Sequence, residues 1–127
     1  MLSNASVTAV LPALDIERAK KFYTENLGLS LAQEQMQDGV SALFDCGKGT
    51  KLFIYQRPPS HAEHTLANFE VTDLDAEMQE LRGRGVVFEE YDFPGLKTEN
   101  GIATMPGYKS AWFKDSEGNI LALGQKV

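Results

Sequence analysis

Two histidines, His61 and His64, bracket Glu63 in the run HAEH, and Glu70 follows six residues later. Imidazole nitrogens and carboxylate oxygens hold divalent metals, and the same groups carry protons in acid–base catalysis. In an extended segment His64, Leu66, Asn68 and Glu70 share one face, because strand side chains alternate. The spacing is not that of the helical two-histidine zinc motif, and no third and fourth donor follows nearby. The plain reading of His61 and His64 is therefore a solvated, Pro-rich link. Cys46, the one cysteine, reads as a small core residue rather than a nucleophile. Flat aromatic side chains are the other chemical resource. Phe53, Tyr55 and Trp112 offer faces on which planar ligands stack and, beside an acid such as Glu70, hold a cation.

Elements must position these groups. A chain of 127 residues fits one domain, and a 43% apolar share supports a core. The net charge of −6 repels phosphate backbones, which argues against nucleic acid and favours cationic ligands; it also serves plain solubility. A single cysteine suits a reducing compartment. No segment approaches the roughly 20 apolar residues that span a bilayer, and Met1–Val10 lacks the pattern of a signal peptide. Cytoplasm is the expectation, with no membrane partner.

Apolar, β-branched or alternating runs predict strands at Ala5–Leu11, Leu29–Gln35, Val40–Cys46 and Lys51–Gln56. Asp15 is a plausible N-cap for a helix with Ile16, Ala19, Phe22 and Tyr23 on one stripe, ended by Gly28. Gly47-Lys48-Gly49 marks a tight turn. The order then recurs. A strand at Thr65–Val71 precedes a helix capped by Thr72 or Asp73, with Leu74, Met78 and Leu81 inward. Strands are expected at Val86–Glu90, Ser110–Lys114 and Ile120–Gly124, the last two joined by a turn at Ser116–Asn119. Phe93–Gly107 reads as a long loop without structure, of the kind that forms lids, with Met105 or Tyr108 reaching a ligand.

A shift of 69 positions lays Ser41–Gln56 on Ser110–Gln125 without a gap, with six identities in sixteen positions. Ser41, Ala42, Phe44, Gly49, Leu52 and Gln56 meet the same residue types at 110, 111, 113, 118, 121 and 125. A shift of 58 lays Asp15 on Asp73. Such a repeat, about half a domain long, implies duplication within one fold. The expected architecture is α+β: two βαβββ modules, residues 5–57 and 64–127, in one domain, forming a curved mixed sheet around a groove with helices outside.

The opening VTAVLPALDIERAKKFYTENLGL and the ending WFKDSEGNILAL resemble the vicinal oxygen chelate superfamily, the glyoxalase, bleomycin resistance and dioxygenase group. Asp115-Ser116-Glu117-Gly118-Asn119 is similar to that family's Asp-Pro-Asp-Gly-Asn turn. The resemblance implies metal ligands seven residues before each helix-capping Asp and three after the Asn of the final turn. In this chain those positions, with the repeat partner of the last, are Thr8, Leu66, Ala122 and Phe53, none of which is a normal ligand. The expectation is therefore no metal and no cofactor. Strand alternation adds Ser6, Val10, Lys51, Tyr55, Asn68, Glu70, Ile120 and Gly124 to the same face; Trp112 belongs to it or to the core. A ligand site made of Thr8, Phe53, Tyr55, Leu66, Asn68, Glu70, Trp112 and Ala122 suits a small organic molecule. The resemblance then implies a metal-independent protein that sequesters an antibiotic-like aromatic or cationic compound, without catalysis, as a homodimer. The alternatives are a metal-dependent lyase, transferase or dioxygenase with relocated ligands such as His64, Glu63 and Glu70, and a metal-free catalyst using Glu70 or Tyr55.

Overall fold

The computed structural model describes Met1–Val127, which divide into two compact units, Met1–His61 and Ala62–Val127. In the first, β1 (Thr8–Ala13) leads to α1 (Ile16–Lys21), then β2 (Ser30–Leu31), β3 (Ser41–Asp45) and β4 (Lys51–Gln56). The sheet order is β1-β4-β3-β2, with β1 parallel to β4 and the other pairs antiparallel. Asp15 caps α1 by accepting from the Arg18 N–H at 3.1 Å, which satisfies one of the donors a helix start leaves open. The helix widens into a π turn over Phe22–Asn26. Gly28 then takes the left-handed conformation (φ 75°) that turns the chain into β2.

Alternation sorts the residues of this sheet. Leu11, Ala13, Ala42, Phe44, Leu52 and Ile54 are buried on the face that meets α1. There the Tyr23 and Phe44 rings lie 5.5 Å apart and both are fully buried. The register sets Val10 beside Phe53 and Phe53 beside Leu43 on the opposite, outward face.

The second unit repeats the plan with β5 (Thr65–Glu70), α2 (Leu74–Gly83), β8 (Ala103–Met105), β9 (Tyr108–Lys114) and β10 (Ile120–Lys126), in the order β5-β10-β9-β8. A two-stranded hairpin of β6 (Asp92–Phe93) and β7 (Leu96–Lys97) is inserted before β8. Asp73, not Thr72, caps α2, accepting from the Ala76 N–H at 3.1 Å. Leu74, Met78 and Leu81 of α2, with Phe113, Leu121 and Leu123 of the sheet, are buried. The duplication reaches single hydrogen bonds. Gln56 accepts from the Ile16 N–H at 3.1 Å, and its counterpart Gln125 accepts from the Leu74 N–H at 2.8 Å. Each closing strand thus satisfies the first free donor of its own module's helix.

Several expected elements differ. The strand expected at Leu29–Gln35 shrinks to Ser30–Leu31, because the polar run after Ala32 has nothing to bury. Val86–Glu90 alternates like a strand, with Val86 and Phe88 buried, yet makes one bridge to β9, from Phe88 to Phe113. β8 takes the remainder of that edge. Phe93–Gly107 is not structureless. It contains all of the hairpin but Asp92, a bridge between Glu99 and Ile102, and β8. Glu90 anchors it, accepting from the Thr98 hydroxyl at 2.8 Å and the Gly101 N–H at 2.6 Å.

Candidate functional site

In the second unit the outward face of the sheet carries Asn68 and Glu70 on β5, Ala122 and Gly124 on β10, and Tyr108, Ser110 and Trp112 on β9. The registers Asn68–Ala122–Trp112 and Glu70–Gly124–Ser110 run straight across the three strands. This resolves the position of Trp112, which lies outward and not in the core between sheet and helix. Its indole N–H donates to the Thr65 hydroxyl at 3.1 Å. That bond exists because β5 carries a bulge: Thr65 pairs with Ile120 and Ala67 with Leu121, so Leu66 is the extra residue. The bulge resets alternation, and the face expected for His64 and Leu66 passes to Thr65. His64 lies before the strand and is exposed.

Tyr91 meets the Trp112 ring edge-on at 5.6 Å, and Phe93 meets Tyr91 at 5.8 Å. Burial, followed by the Glu89 charge, raises the Tyr91 phenol above its ordinary pKa. The three rings form an aromatic shelf, half-buried at Tyr91 and Trp112 and exposed at Phe93. Neither Tyr91 nor Phe93 was expected at the site, and neither occupies a regular strand position facing Trp112.

Beside the shelf stands a polar cluster. The Tyr108 hydroxyl donates to Glu70 Oε1, and Asn68 Nδ2 donates to the same oxygen at 3.0 Å and to the Tyr108 hydroxyl at 3.3 Å. The Glu70 carboxylate, as acceptor of the phenol proton, holds Tyr108 above its usual pKa. Gly124 makes this geometry possible. A Cβ there would lie 2.5 Å from Tyr108 Cζ, so the tyrosine crosses β10 where that strand has no side chain. Gly124→Ala is expected to push Tyr108 aside and break its bond to Glu70, at a cost of about 1 kcal/mol. The phenol should then titrate closer to its ordinary pKa, which a spectrophotometric phenolate titration against Tyr108→Phe measures.

The first unit's outward face carries Thr8, Val10, Lys51, Phe53 and Tyr55 in the registers Thr8–Lys51 and Val10–Phe53. Phe53 is half-buried, while Val10 and Tyr55 are exposed. Lys51 pairs with Asp45 and lies 3.7 Å from Glu34, and the Asp45 bond raises its pKa. Ser6 precedes β1 and is exposed. Burial, with the Asp45 charge, pushes the Cys46 thiol up, which opposes nucleophilic use.

The residues at the four superfamily ligand positions do not fit a metal. Phe53 stands in a row of hydrocarbon between Val10 and Leu43, Ala122 between Asn68 and Trp112, and Leu66 at a bulge; Thr8 alone offers an oxygen. Nowhere do three or more His, Cys, Asp or Glu side chains come together as a cation would require.

The model of the Glyoxalase/Bleomycin resistance protein/Dioxygenase superfamily matches residues 6–123. No curated protein matches the chain. Among solved structures, TnmS3, an antibiotic binding protein from Streptomyces, is 25% identical with a TM-score of 0.69 and covers 100% of this chain and 99% of its own. A lactoylglutathione lyase from Agrobacterium tumefaciens is 20% identical, with a TM-score of 0.68 and coverage of 96% and 93%. A mutant of the fosfomycin resistance protein FosX from Listeria monocytogenes, complexed with Mn(II), is 15% identical, with a TM-score of 0.68 and coverage of 97% and 90%. The last two likenesses concern the fold alone.

Proposed function

The chain belongs to the Glyoxalase/Bleomycin resistance protein/Dioxygenase superfamily, and from that premise we propose that it is a metal-independent protein that binds and sequesters a small organic molecule. The observation that carries the reading is the aromatic shelf of Trp112, Tyr91 and Phe93 beside Asn68, Glu70 and Tyr108. Apolar surface with a few convergent polar groups is the composition of a site for organic ligands. Ala122 lies on this face and Leu66 at the bulge beside it, and Thr8, Phe53 and Tyr55 offer contacts of the same kind in the first unit. The likeness to TnmS3 supports an antibiotic-like ligand. Sequestration needs no bond to break: protein in excess of the dissociation constant withholds the compound by mass action. We further propose that the two modules act as one domain in a cytoplasmic homodimer, without cofactor, nucleic acid or membrane partner. No helix is long and apolar enough to cross a membrane.

A thermal-shift and calorimetry panel of aromatic antibiotics tests the reading. A ligand at one hundred times its dissociation constant is expected to add about 2.7 kcal/mol of stability. If no member of such a panel binds, the reading fails. The second reading is catalytic and rests on the phenol–carboxylate bond between Tyr108 and Glu70, which could pass a proton to a bound substrate. Turnover that survives metal stripping and is lost in Glu70→Gln would favour it. A metal-dependent lyase, transferase or dioxygenase with His64 and Glu70 as ligands requires stoichiometric metal in protein purified without chelators.

A further inference from the structure

The unused hydrogen-bonding capacity of the second unit's outward face points to a ligand class. Asn68 Nδ2 spends its two hydrogens on Glu70 Oε1 and the Tyr108 hydroxyl. Tyr108 spends its one hydrogen on Glu70 Oε1, and the Trp112 indole spends its hydrogen on Thr65. Both bonds to Glu70 fall on Oε1. Glu70 Oε2 and Asn68 Oδ1 accept nothing from the protein. The cluster therefore offers the solvent oxygen acceptors, one of them on a carboxylate. No Lys or Arg lies within ion-pair distance of Glu70; Lys114, the cation on the same face of β9, faces Glu89 at 3.7 Å. Lys126, at the end of β10, is exposed and makes no pair with Glu70.

Tyr108 covers Gly124, so the open path from the Asn68–Glu70 pair to Trp112 runs over Ala122, a small side chain. Asn68 and Trp112 are two strand spacings apart, roughly 10 Å. That span matches a fused two- or three-ring system carrying a short arm.

We propose that this face selects an organic ammonium or guanidinium carried on a flat ring system. Glu70 Oε2 and Asn68 Oδ1 accept from the cation, and the ring stacks on the Trp112 indole, with Tyr91, set at 78° to it, as a flanking wall. A group with only donors matches the two open acceptors, and the chain's net charge of −6 favours its approach. A carboxylate or phosphate ligand would meet Glu70 unshielded. The proposal rests on the reading that this face binds a small molecule, and the test separates the two.

Trp112 is the only tryptophan, so 15N-labelled full-length protein shows one indole N–H resonance that reports the shelf directly. Three probes share a ring and differ in the head group: 2-(1-naphthyl)ethylamine, 2-(1-naphthyl)ethanol and 1-naphthaleneacetate. All three are expected to shift the indole resonance, the amine at about tenfold lower concentration than the alcohol and the carboxylate most weakly. Glu70→Gln should bring amine and alcohol within about twofold of each other, chiefly by weakening the amine. Glu70 is exposed, so the variant is expected to fold. Equal binding of the three probes at the shelf, or an amine preference that survives Glu70→Gln, overturns the assignment of ligand class and leaves the binding reading standing. If no probe moves the indole resonance, the shelf is not a platform for flat rings and both fall.

Discussion

Phe113→Ala is expected to cost about 3–5 kcal/mol, because a fully buried aromatic ring loses its transfer energy and leaves a cavity behind. Phe113 stands opposite Leu121 on β10, and its ring lies 5.7 Å from that of Phe88. It also carries the bridge through which the segment after α2 meets the sheet. The void therefore opens where the segment after α2 meets the sheet. A typical domain is stable by about 5–15 kcal/mol, so the variant loses a large share of what it has. Urea unfolding followed by fluorescence of the adjacent Trp112 measures the loss. A change under about 1 kcal/mol would show that the ring is not the core element described here.

Asp115→Ala is expected to lower stability by about 3 kcal/mol, for a different reason. The Asp115 carboxylate is buried and accepts from the Glu117 N–H at 2.8 Å, the Asn119 N–H at 2.9 Å and Asn119 Nδ2 at 2.8 Å. Together they fold the turn between β9 and β10, with Gly118 in the left-handed conformation (φ 86°). Removal strands donors inside the protein, and a stranded buried donor costs more than a bond contributes. Asp115→Asn is the informative partner. Its volume is nearly unchanged, but its amide would set a donor against the donor of Asn119. It is expected to lose most of what the alanine variant loses, and full stability in the asparagine variant would refute this account of the turn.

How far these features were legible depends on whether the signal was local. Ala42, Phe44, Leu52 and Ile54 alternate with Leu43, Phe53 and Tyr55, and alternation alone separates the buried face from the outward one. The same arithmetic, with a repeat to check it, brought Asn68, Glu70 and Ala122 to one face. It failed at Leu66. A bulge adds one residue without a glycine or proline to announce it, and every face assignment before it reverses. Trp112 was ambiguous because position 43, its repeat partner, is an ordinary leucine. Tyr91 and Phe93 were invisible as site residues, since the inserted hairpin and the residue before it, not the repeated strands, bring Tyr91 to Trp112 and Phe93 to Tyr91. Tyr108 was expected to reach a ligand from a loop; it stands instead on β9, and its bond to Glu70 depends on what Gly124 lacks.

The two glutamine bonds bear on how the protein is made. Gln56 lies 40 residues after the first residue of the helix it completes, and Gln125 lies 51 residues after the first of its own. On the ribosome, α2 emerges long before Gln125, so its leading amide must stay hydrated until that residue follows. A chain cut before Gln125 keeps that amide open, while the first half keeps Gln56 and its own closure. Loss of Gln125 is thus a lesion of a distant helix start, and its damage should register there first.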